Sequence, residues 1–156
     1  MEEQESICSL LSQAELGAVF SFLEPDEVRA LCPYLELRQW PAGAFVMRKG
    51  EAGDYMGFLV EGKLAVKKET GFPGKYILVA ILERGTMVGE ISVILRWPRS
   101  ATIVAMDESR LLTLSSENME ALTKNNPALS IKLLKRILYV MSLRLRQAGD
   151  RLSELL

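Results

Sequence analysis

Apolar residues change their spacing twice along the chain, and these changes divide it into three zones. In residues 1–36 they recur at helical intervals, and Ser12 with Glu15 has the spacing of a capping box. Pro25 suits the first turn of a helix, and Pro33 is expected to end that helix. The first zone is therefore predicted to consist of N-terminal helices.

Residues 37–115 replace the helical spacing with short runs of branched side chains, separated by turn signals such as Glu61-Gly62 and Arg84-Gly85. Many short strands at close spacing favour an antiparallel barrel, roll or sandwich. An apolar stretch at 90–95 interrupts this pattern and fits one or two turns of helix. The predicted strand cores are 45–47, 58–60, 64–66, 76–82, 101–105 and 111–114.

The third zone, residues 116–156, returns to helical spacing. A short helix is expected to end near Asn125 and Asn126, and Pro127 is expected to begin another. In this last helix, 127–156, apolar residues alternate spacings of three and four, which is the heptad seam of a coiled coil. We interpret it as a dimerisation helix; the alternative is a helix that packs only on its own domain. The seam residues are Ile131, Leu134, Leu138, Met141, Leu145, Ala148, Leu152 and Leu155.

A second apolar stripe, formed by Leu133, Ile137 and Val140, runs beside the seam and turns polar at Arg144. The first half of the helix is therefore expected to pack on the β domain with one side and on a partner with the other. The second half carries only the seam and is expected to project as a coiled coil. Gly149 weakens this half and is a position at which the helix would end.

Length, charge and composition exclude several classes of function. The 156 residues suit one domain, and a formal net charge of -1 argues against a direct nucleic-acid-binding surface, since phosphate binding needs a basic footprint. The chain has no histidine, which is the commonest metal ligand and general base, so neither a metal site nor an enzyme is expected. No apolar run is long enough to span a membrane, and the acidic start differs from a signal peptide. A cytoplasmic location is therefore expected.

The two cysteines, Cys8 and Cys32, stand in apolar contexts of the helical first zone. Such contexts favour buried, reduced thiols over a disulfide or a metal site, and a reducing compartment would agree with that state.

The run 89–102 carries the most informative chemistry. It places Glu90 and Arg99 nine positions apart, with the helix-like stretch between them. A helix N-terminus offers unpaired N–H donors, and arginine supplies a planar fork of donors suited to a phosphate. A carboxylate only accepts hydrogen bonds, so it selects a ligand with a hydroxyl group. The run therefore indicates a binding site for a negatively charged ligand that bears a hydroxyl.

With these motifs in order, residues 20–145 resemble the cyclic nucleotide-binding domain family. The matching segments are 50–54, 58–62, 79–85, Gly89-Glu90 with 98–102, 111–114 and Pro127. The resemblance implies an α+β, mainly β, fold. It is an antiparallel double-stranded β-helix or jelly-roll-like β-roll of about eight strands, with N-terminal helices and a long C-terminal helix.

The resemblance also implies residue roles within a phosphate-binding cassette. Glu90 would accept a hydrogen bond from the ribose 2′-hydroxyl, and Arg99 would pair with the exocyclic oxygens of the cyclic phosphate. The rest of the cassette would come from Gly89, the backbone N–H groups of Ile91 and Ser92, and the region of Ser100 and Ala101. Val88, Ser92 and Val93 depart from the usual family residues and bear on packing more than on ligand contacts.

In the family the last helix covers the base, from its own or a neighbouring subunit. That would bring Val140, Arg144 and Leu145 near the purine, with Arg144 stacking on the base or pairing with Glu90.

Two functions follow from these patterns. The first is a sensor that binds cAMP, or alternatively cGMP, needs no prosthetic group, and couples the ligand to movement of its last helix. Such a sensor would form a homodimer and signal through an unidentified downstream protein. The second is a vestigial domain that binds no nucleotide and acts as a dimeric scaffold. Only 29 residues follow Pro127, so a helix-turn-helix domain does not fit after it, and DNA binding would have to come from a partner.

Overall fold

Two four-stranded antiparallel sheets form the centre of the protein in a computed structural model, which describes residues 7–156. The strands are β1 (Leu35–Trp40), β2 (Phe45–Met47), β3 (Tyr55–Glu61), β4 (Leu64–Glu69), β5 (Tyr76–Leu82), β6 (Met87–Val88), β7 (Thr102–Ala105) and β8 (Ser109–Ser115). The helices are α1 (Gln13–Val19), α2 (Pro25–Leu31), α3 (Glu90–Leu95), α4 (Ser116–Asn125) and α5 (Pro127–Leu155), with 3-10 turns at Ile7–Leu10 and Cys32–Tyr34.

The strand order is β1-β8-β3-β6 in one sheet and β2-β7-β4-β5 in the other. Consecutive strands thus alternate between the sheets except β4 and β5, which pair within one sheet, and helices lie at both ends of the chain. The predicted fold class is confirmed. The predicted run 76–82 forms β5, and the apolar stretch 90–95 forms α3.

Two strands were absent from the predicted set. β1 alternates apolar and charged residues without a branched run, and β6 has only two residues. β1 is nevertheless well defined, because it pairs with β8 along its whole length, from Leu35 opposite Leu114 to Trp40 opposite Ser109.

The N-terminal helices form as the sequence predicts, but the state of the two cysteines differs from the prediction. Ser12 and Glu15 make the reciprocal capping-box hydrogen bonds at the start of α1. Cys8 and Cys32, in contrast, form a disulfide, so the prediction of reduced thiols is wrong. The pairing was hidden because the partners lie 24 positions apart, and only the packing of the first 3-10 turn beside the second brings them together.

The main core joins the N-terminal helices, one sheet, and helices α4 and α5. Leu133 and Ile137 of α5 are buried in it, as the stripe facing the β domain predicts. Phe20 packs edge-on against Phe58 at 5.0 Å between ring centres and ties the helical layer to β3. A smaller core lies inside the roll, around Leu59 and Leu111. Together these contacts fix α5 at its first half.

Met141 is the last residue of α5 that packs against the core, and the helix continues past Gly149 to Leu155. Leu138 is 67% exposed and Leu145 is 75% exposed, so most of the seam is uncovered in a single chain. Within residues 7–156, no helix combines the length and the apolarity needed to cross a bilayer.

Strand β5 is an uncovered edge. Its seven residues are all apolar, and Tyr76 to Val79 together with Ile81 are between 44% and 56% exposed. The register against β4 shifts between Val66 and Lys67, which leaves an extra β5 residue, Val79, at a bulge. Edge bulges of this kind discourage pairing with a further strand.

Candidate functional site

The site is built around the start of α3. Gly89 precedes the helix with φ of 75°, the left-handed conformation that glycine adopts without steric cost. A Cβ atom at this position would lie 2.5 Å from Arg99 Nη1 and 2.6 Å from Met47 Cε. Glycine thus lets the backbone turn from β6 into α3 while the Arg99 side chain passes directly over it.

Arg99 is only 5% exposed, although it lies in a segment without regular structure. Its backbone is held from both sides, since Gly50 N–H donates to Arg99 O and Arg99 N–H donates to Glu51 O, both at 2.9 Å. Its guanidinium donates to Gly89 O at 3.2 Å and to Tyr55 O at 2.6 Å, and lies 4.7 Å from the centre of the Tyr55 ring. The strands around it therefore fix the direction of the side chain.

The Arg99 guanidinium retains unused binding capacity. Of its five N–H donors, two donate to the backbone carbonyls of Gly89 and Tyr55. Within residues 7–156, no carboxylate lies at ion-pair distance from it. Burial lowers the pKa of Arg99 from its ordinary value, but an arginine stays charged in proteins. A buried cation without a counter-ion is costly, so the site is prepared for an anion.

Glu90 is the second buried charge, at 3% exposed. Its Oε1 accepts a hydrogen bond from Arg144 Nη1 at 2.9 Å, and Arg144 Nη2 also donates to Met87 O at 2.8 Å. Its Oε2 is buried and has no hydrogen-bond partner. Since buried polar atoms are nearly always satisfied, a free acceptor oxygen in this position calls for a donor from a ligand.

The two charges line adjoining cavities. A small cavity of about 50 Å³ is bounded by both Glu90 and Arg99. A larger one of about 470 Å³ shares the Glu90 wall and extends between β5 and the second half of α5. Its size is within the range of small-molecule sites, and its apolar wall on β5 suits a flat ring. The arrangement can thus bind an anion at one end, a hydroxyl in the middle and an apolar ring beyond.

The predicted site residues fall into three groups. Gly89, Glu90, Ser100 and Ala101 line both cavities, whereas Ile91, Ser92 and Arg99 line the small one. Arg144 lines the large cavity and pairs with Glu90, one of its two expected arrangements. Val140 borders a separate neighbouring cavity with Arg144, and Leu145 lies outside all of these linings.

Several site residues carry no signal in the sequence. Tyr55 holds Arg99 through its carbonyl and ring, a contact across 44 positions that no local pattern reveals. Burial raises the pKa of the Tyr55 phenol, which keeps it protonated and able to donate to Val46 O at 2.6 Å. On α5 the large cavity is lined by Gln147, Ala148 and Arg151 together with Arg144. A correct helical register would have found these three, because each lies three, four or seven positions from Arg144.

No group of three or more histidine, cysteine, aspartate or glutamate side chains with metal-binding geometry occurs in the part of the chain that the structure describes.

Comparison with known proteins agrees with this geometry. The profile of the family described as "Cyclic nucleotide-binding domain" matches residues 37–126. A CRP-like cAMP-activated global transcriptional regulator of Mycobacterium tuberculosis is 26% identical over 140 residues, which cover 90% of this chain and 60% of that protein. A cyclic nucleotide-gated potassium channel of Rhizobium etli is 38% identical over 111 residues, 71% of this chain and 28% of the channel.

Among solved structures, a cyclic nucleotide-binding domain from Methylobacillus flagellatus KT superposes with a TM-score of 0.80 at 27% identity. The match covers 88% of this chain and 82% of that one. The chain therefore matches most of a comparable domain, but only 60% of the length of the regulator and 28% of the channel.

Close packing around Arg99 gives a testable prediction at Gly53. A Cβ atom there would lie 2.5 Å from Ser92 Oγ and 3.1 Å from Arg99 Cδ. Gly53→Ala should destabilise the fold by about 1–3 kcal/mol, because the new methyl group would push Ser92 of α3 and the Arg99 side chain away from the loop. Urea denaturation measures the change.

Gly71→Ala is the matched control, since Gly71 is also a loop glycine but has open space around its Cα. It should change stability by no more than about 0.5 kcal/mol. Equal effects of the two substitutions would show that the loop around Gly53 is not closely packed.

Proposed function

This chain belongs to the cyclic nucleotide-binding domain family, and on that premise we propose that it is a regulatory module that binds cAMP in preference to cGMP. In the proposed complex Arg99 pairs with the cyclic phosphate and Glu90 accepts the ribose 2′-hydroxyl. Gly89, the backbone N–H groups of Ile91 and Ser92, and the Ser100–Ala101 segment line the phosphate end.

The observation that carries the proposal is a pair of buried charged groups, each with unused hydrogen-bonding capacity, at one cavity. The Arg99 guanidinium is buried with no carboxylate of the described residues at ion-pair distance, and Glu90 Oε2 is buried without a donor. A cyclic nucleotide supplies a singly charged phosphate and a hydroxyl on the same rigid ring system. One ligand of this class therefore satisfies both groups at once, which a simple inorganic anion does not.

The two oxygens of Glu90 suggest how ligand binding reaches α5. Oε1 is engaged by Arg144, and Oε2 is free. A ligand hydroxyl bound to Oε2 and the Arg144 guanidinium bound to Oε1 would share the Glu90 carboxylate. Binding of the ligand would therefore affect the hydrogen bond that holds α5. Such coupling requires that the ligand bind more tightly to one position of α5 than to another. We propose that the ligand favours the docked helix.

The first prediction concerns affinity. Arg99→Ala should weaken cAMP binding by roughly 2–5 kcal/mol, the scale of removing one partner from a buried charge pair. Isothermal titration calorimetry gives the dissociation constant. Arg29→Ala on α2 removes an exposed guanidinium that pairs only with Asp26, and should leave the affinity unchanged.

The same ligand can be tested without a variant. cAMP at 100 times its dissociation constant should add about 2.7 kcal/mol to the stability of the wild-type chain, visible as a higher melting temperature. If neither cAMP nor cGMP moves the melting temperature, the domain is a vestigial one that acts as a scaffold.

The second prediction concerns coupling. Arg144→Met removes the hydrogen bonds to Glu90 and Met87 while keeping a long side chain. Without ligand, the amides of 140–155 should exchange hydrogen faster than in the wild type, because the second half of α5 loses its attachment to the roll. Added cAMP should protect this segment in the wild type and not in the variant.

Arg146→Met is the control, since Arg146 is exposed two positions further along α5. It should behave as the wild type does. Ligand-induced protection of 140–155 that survives Arg144→Met would rule out Arg144 as the link.

We further propose that two copies associate through α5 and that the dimer transmits the signal to a downstream protein. Most seam side chains are exposed along α5, and Ala148 of the seam also lines the large cavity. The opposite wall of that cavity includes Ile81 of the exposed strand β5. A second helix lying on the seam would therefore cover apolar surface on both α5 and β5.

The third prediction concerns this association. Leu138→Glu should convert a dimer to a monomer, because it places a charge in the middle of the seam, whereas the 67% exposure of Leu138 means that the fold of each chain is unaffected. Native mass spectrometry and circular dichroism measure the two properties. Lys135→Glu, an equally exposed position off the seam, should remain dimeric. A wild-type protein that is monomeric at micromolar concentration would contradict the proposal.

A further inference from the structure

The disulfide between Cys8 and Cys32 lies at the wall of a cavity of about 650 Å³. This cavity is formed by α1, α2 and the two 3-10 turns, and both cysteines line it. It does not touch the site around Arg99. Gln13, Ser21 and Arg29 add polar groups to an otherwise apolar lining.

The two cysteines differ in exposure. Cys32 is 2% exposed and belongs to the turn that follows α2, whereas Cys8 is half-buried in the first 3-10 turn. We therefore expect a thiolate that enters from the cavity to attack the sulfur of Cys8. Exchange requires such access, because the attacking sulfur must approach the bond in line.

We propose that the disulfide is a thiol–disulfide exchange site for a low-molecular-weight thiol such as glutathione, and that its redox state clamps or releases the N-terminal helices. The thiolate attacks Sγ of Cys8, a mixed disulfide forms there, and Cys32 leaves as a thiolate that takes a proton from solvent. A second thiolate then attacks the sulfur of the bound thiol, which releases oxidised thiol and leaves Cys8 reduced. Two electrons pass from the two small thiols to the protein disulfide.

The clamp acts on a segment at the edge of the main core. The turn Ile7–Leu10 has no fully buried residue, although Ile7 and Cys8 pack against the core, and the disulfide adds a covalent link to the second 3-10 turn. The other end of the clamp follows α2, whose Glu27 accepts a hydrogen bond from Lys132 of α5 at 2.6 Å. Leu31 of α2 also belongs to the core that holds the first half of α5. Reduction therefore loosens a layer that supports α5.

The test uses the full chain in glutathione buffers of varied ratio of reduced to oxidised thiol. Intact-mass spectrometry follows the disulfide, and peptide mapping locates the mixed disulfide. Reduction should lower the melting temperature by roughly 5–15 °C, as expected for opening a loop of 24 residues in a chain of this size. Hydrogen exchange should rise in 7–34 and in the first turns of α5.

Single variants test the asymmetry between the two sulfurs. Cys32→Ser leaves Cys8 alone and should take up one glutathione readily from the oxidised form. Cys8→Ser leaves the buried Cys32 and should take up glutathione at least ten times more slowly. The double variant should show no response to the buffer ratio, which separates effects of the disulfide from effects of the thiols on the rest of the protein.

Three results would overturn the proposal: a native protein that holds two free thiols in air, a disulfide that glutathione reduces only in denaturant, and equal modification rates for the two single variants. None of these measurements involves cyclic nucleotide. The outcome is therefore independent of whether the Arg99 site binds its proposed ligand.

Discussion

The burial of the Arg99 guanidinium is the constraint on which the ligand-facing part of the structure depends. Removing a charge from water costs several kcal/mol unless hydrogen bonds replace the lost hydration. Here the replacement comes from carbonyl groups of Gly89 and Tyr55 and from the face of the Tyr55 ring. These groups belong to β3 and to the turn before α3, while the loop at 50–51 holds the Arg99 backbone, so the charge is held only when all three are in place.

The need to hold this buried charge explains why left-handed backbone and close contacts are concentrated around Arg99. Gly89 adopts a left-handed conformation directly under the guanidinium, and Gly53 leaves room for Ser92 and the stem of Arg99. Glu90, the neighbouring buried charge, takes its partner from α5 and not from Arg99. The two opposite charges are kept apart, which leaves each with capacity for a third group. An ion pair between them would have satisfied both charges and left neither available to a ligand.

The sequence predicts local features well where local chemistry determines them. The apolar run 76–82 and the glycine-bounded stretch 90–95 lead to β5 and α3, because turn residues mark both ends. β1 escaped prediction because its pairing with β8 compensates for a strand of mixed polarity. The roles of Tyr55 and the disulfide depend on contacts across 44 and 24 positions, which only the assembled fold defines.

The side chains of α5 that face the cavity could not be predicted from the sequence. The periodicity identifies the seam and the stripe that faces the core, but it does not fix the rotation of the helix about its own axis beyond the core. The side chains that line the large cavity are therefore Gln147, Ala148 and Arg151, next to Arg144, while Leu145 points elsewhere. Arg144 itself was suggested by family resemblance and not by spacing.

Strand β5 has a consequence for the behaviour of the isolated chain. Seven consecutive residues with high β propensity, no charge and no proline have the composition of a segment that self-associates when exposed. The bulge at Val79 interrupts this edge, and the lysines at 67 and 68 on the neighbouring strand add charge beside it. Solubility of the free chain thus rests on one displaced residue and a few charges. Mutations that uncover more of this edge would promote self-association and limit the amount of usable protein before they altered its ligand chemistry.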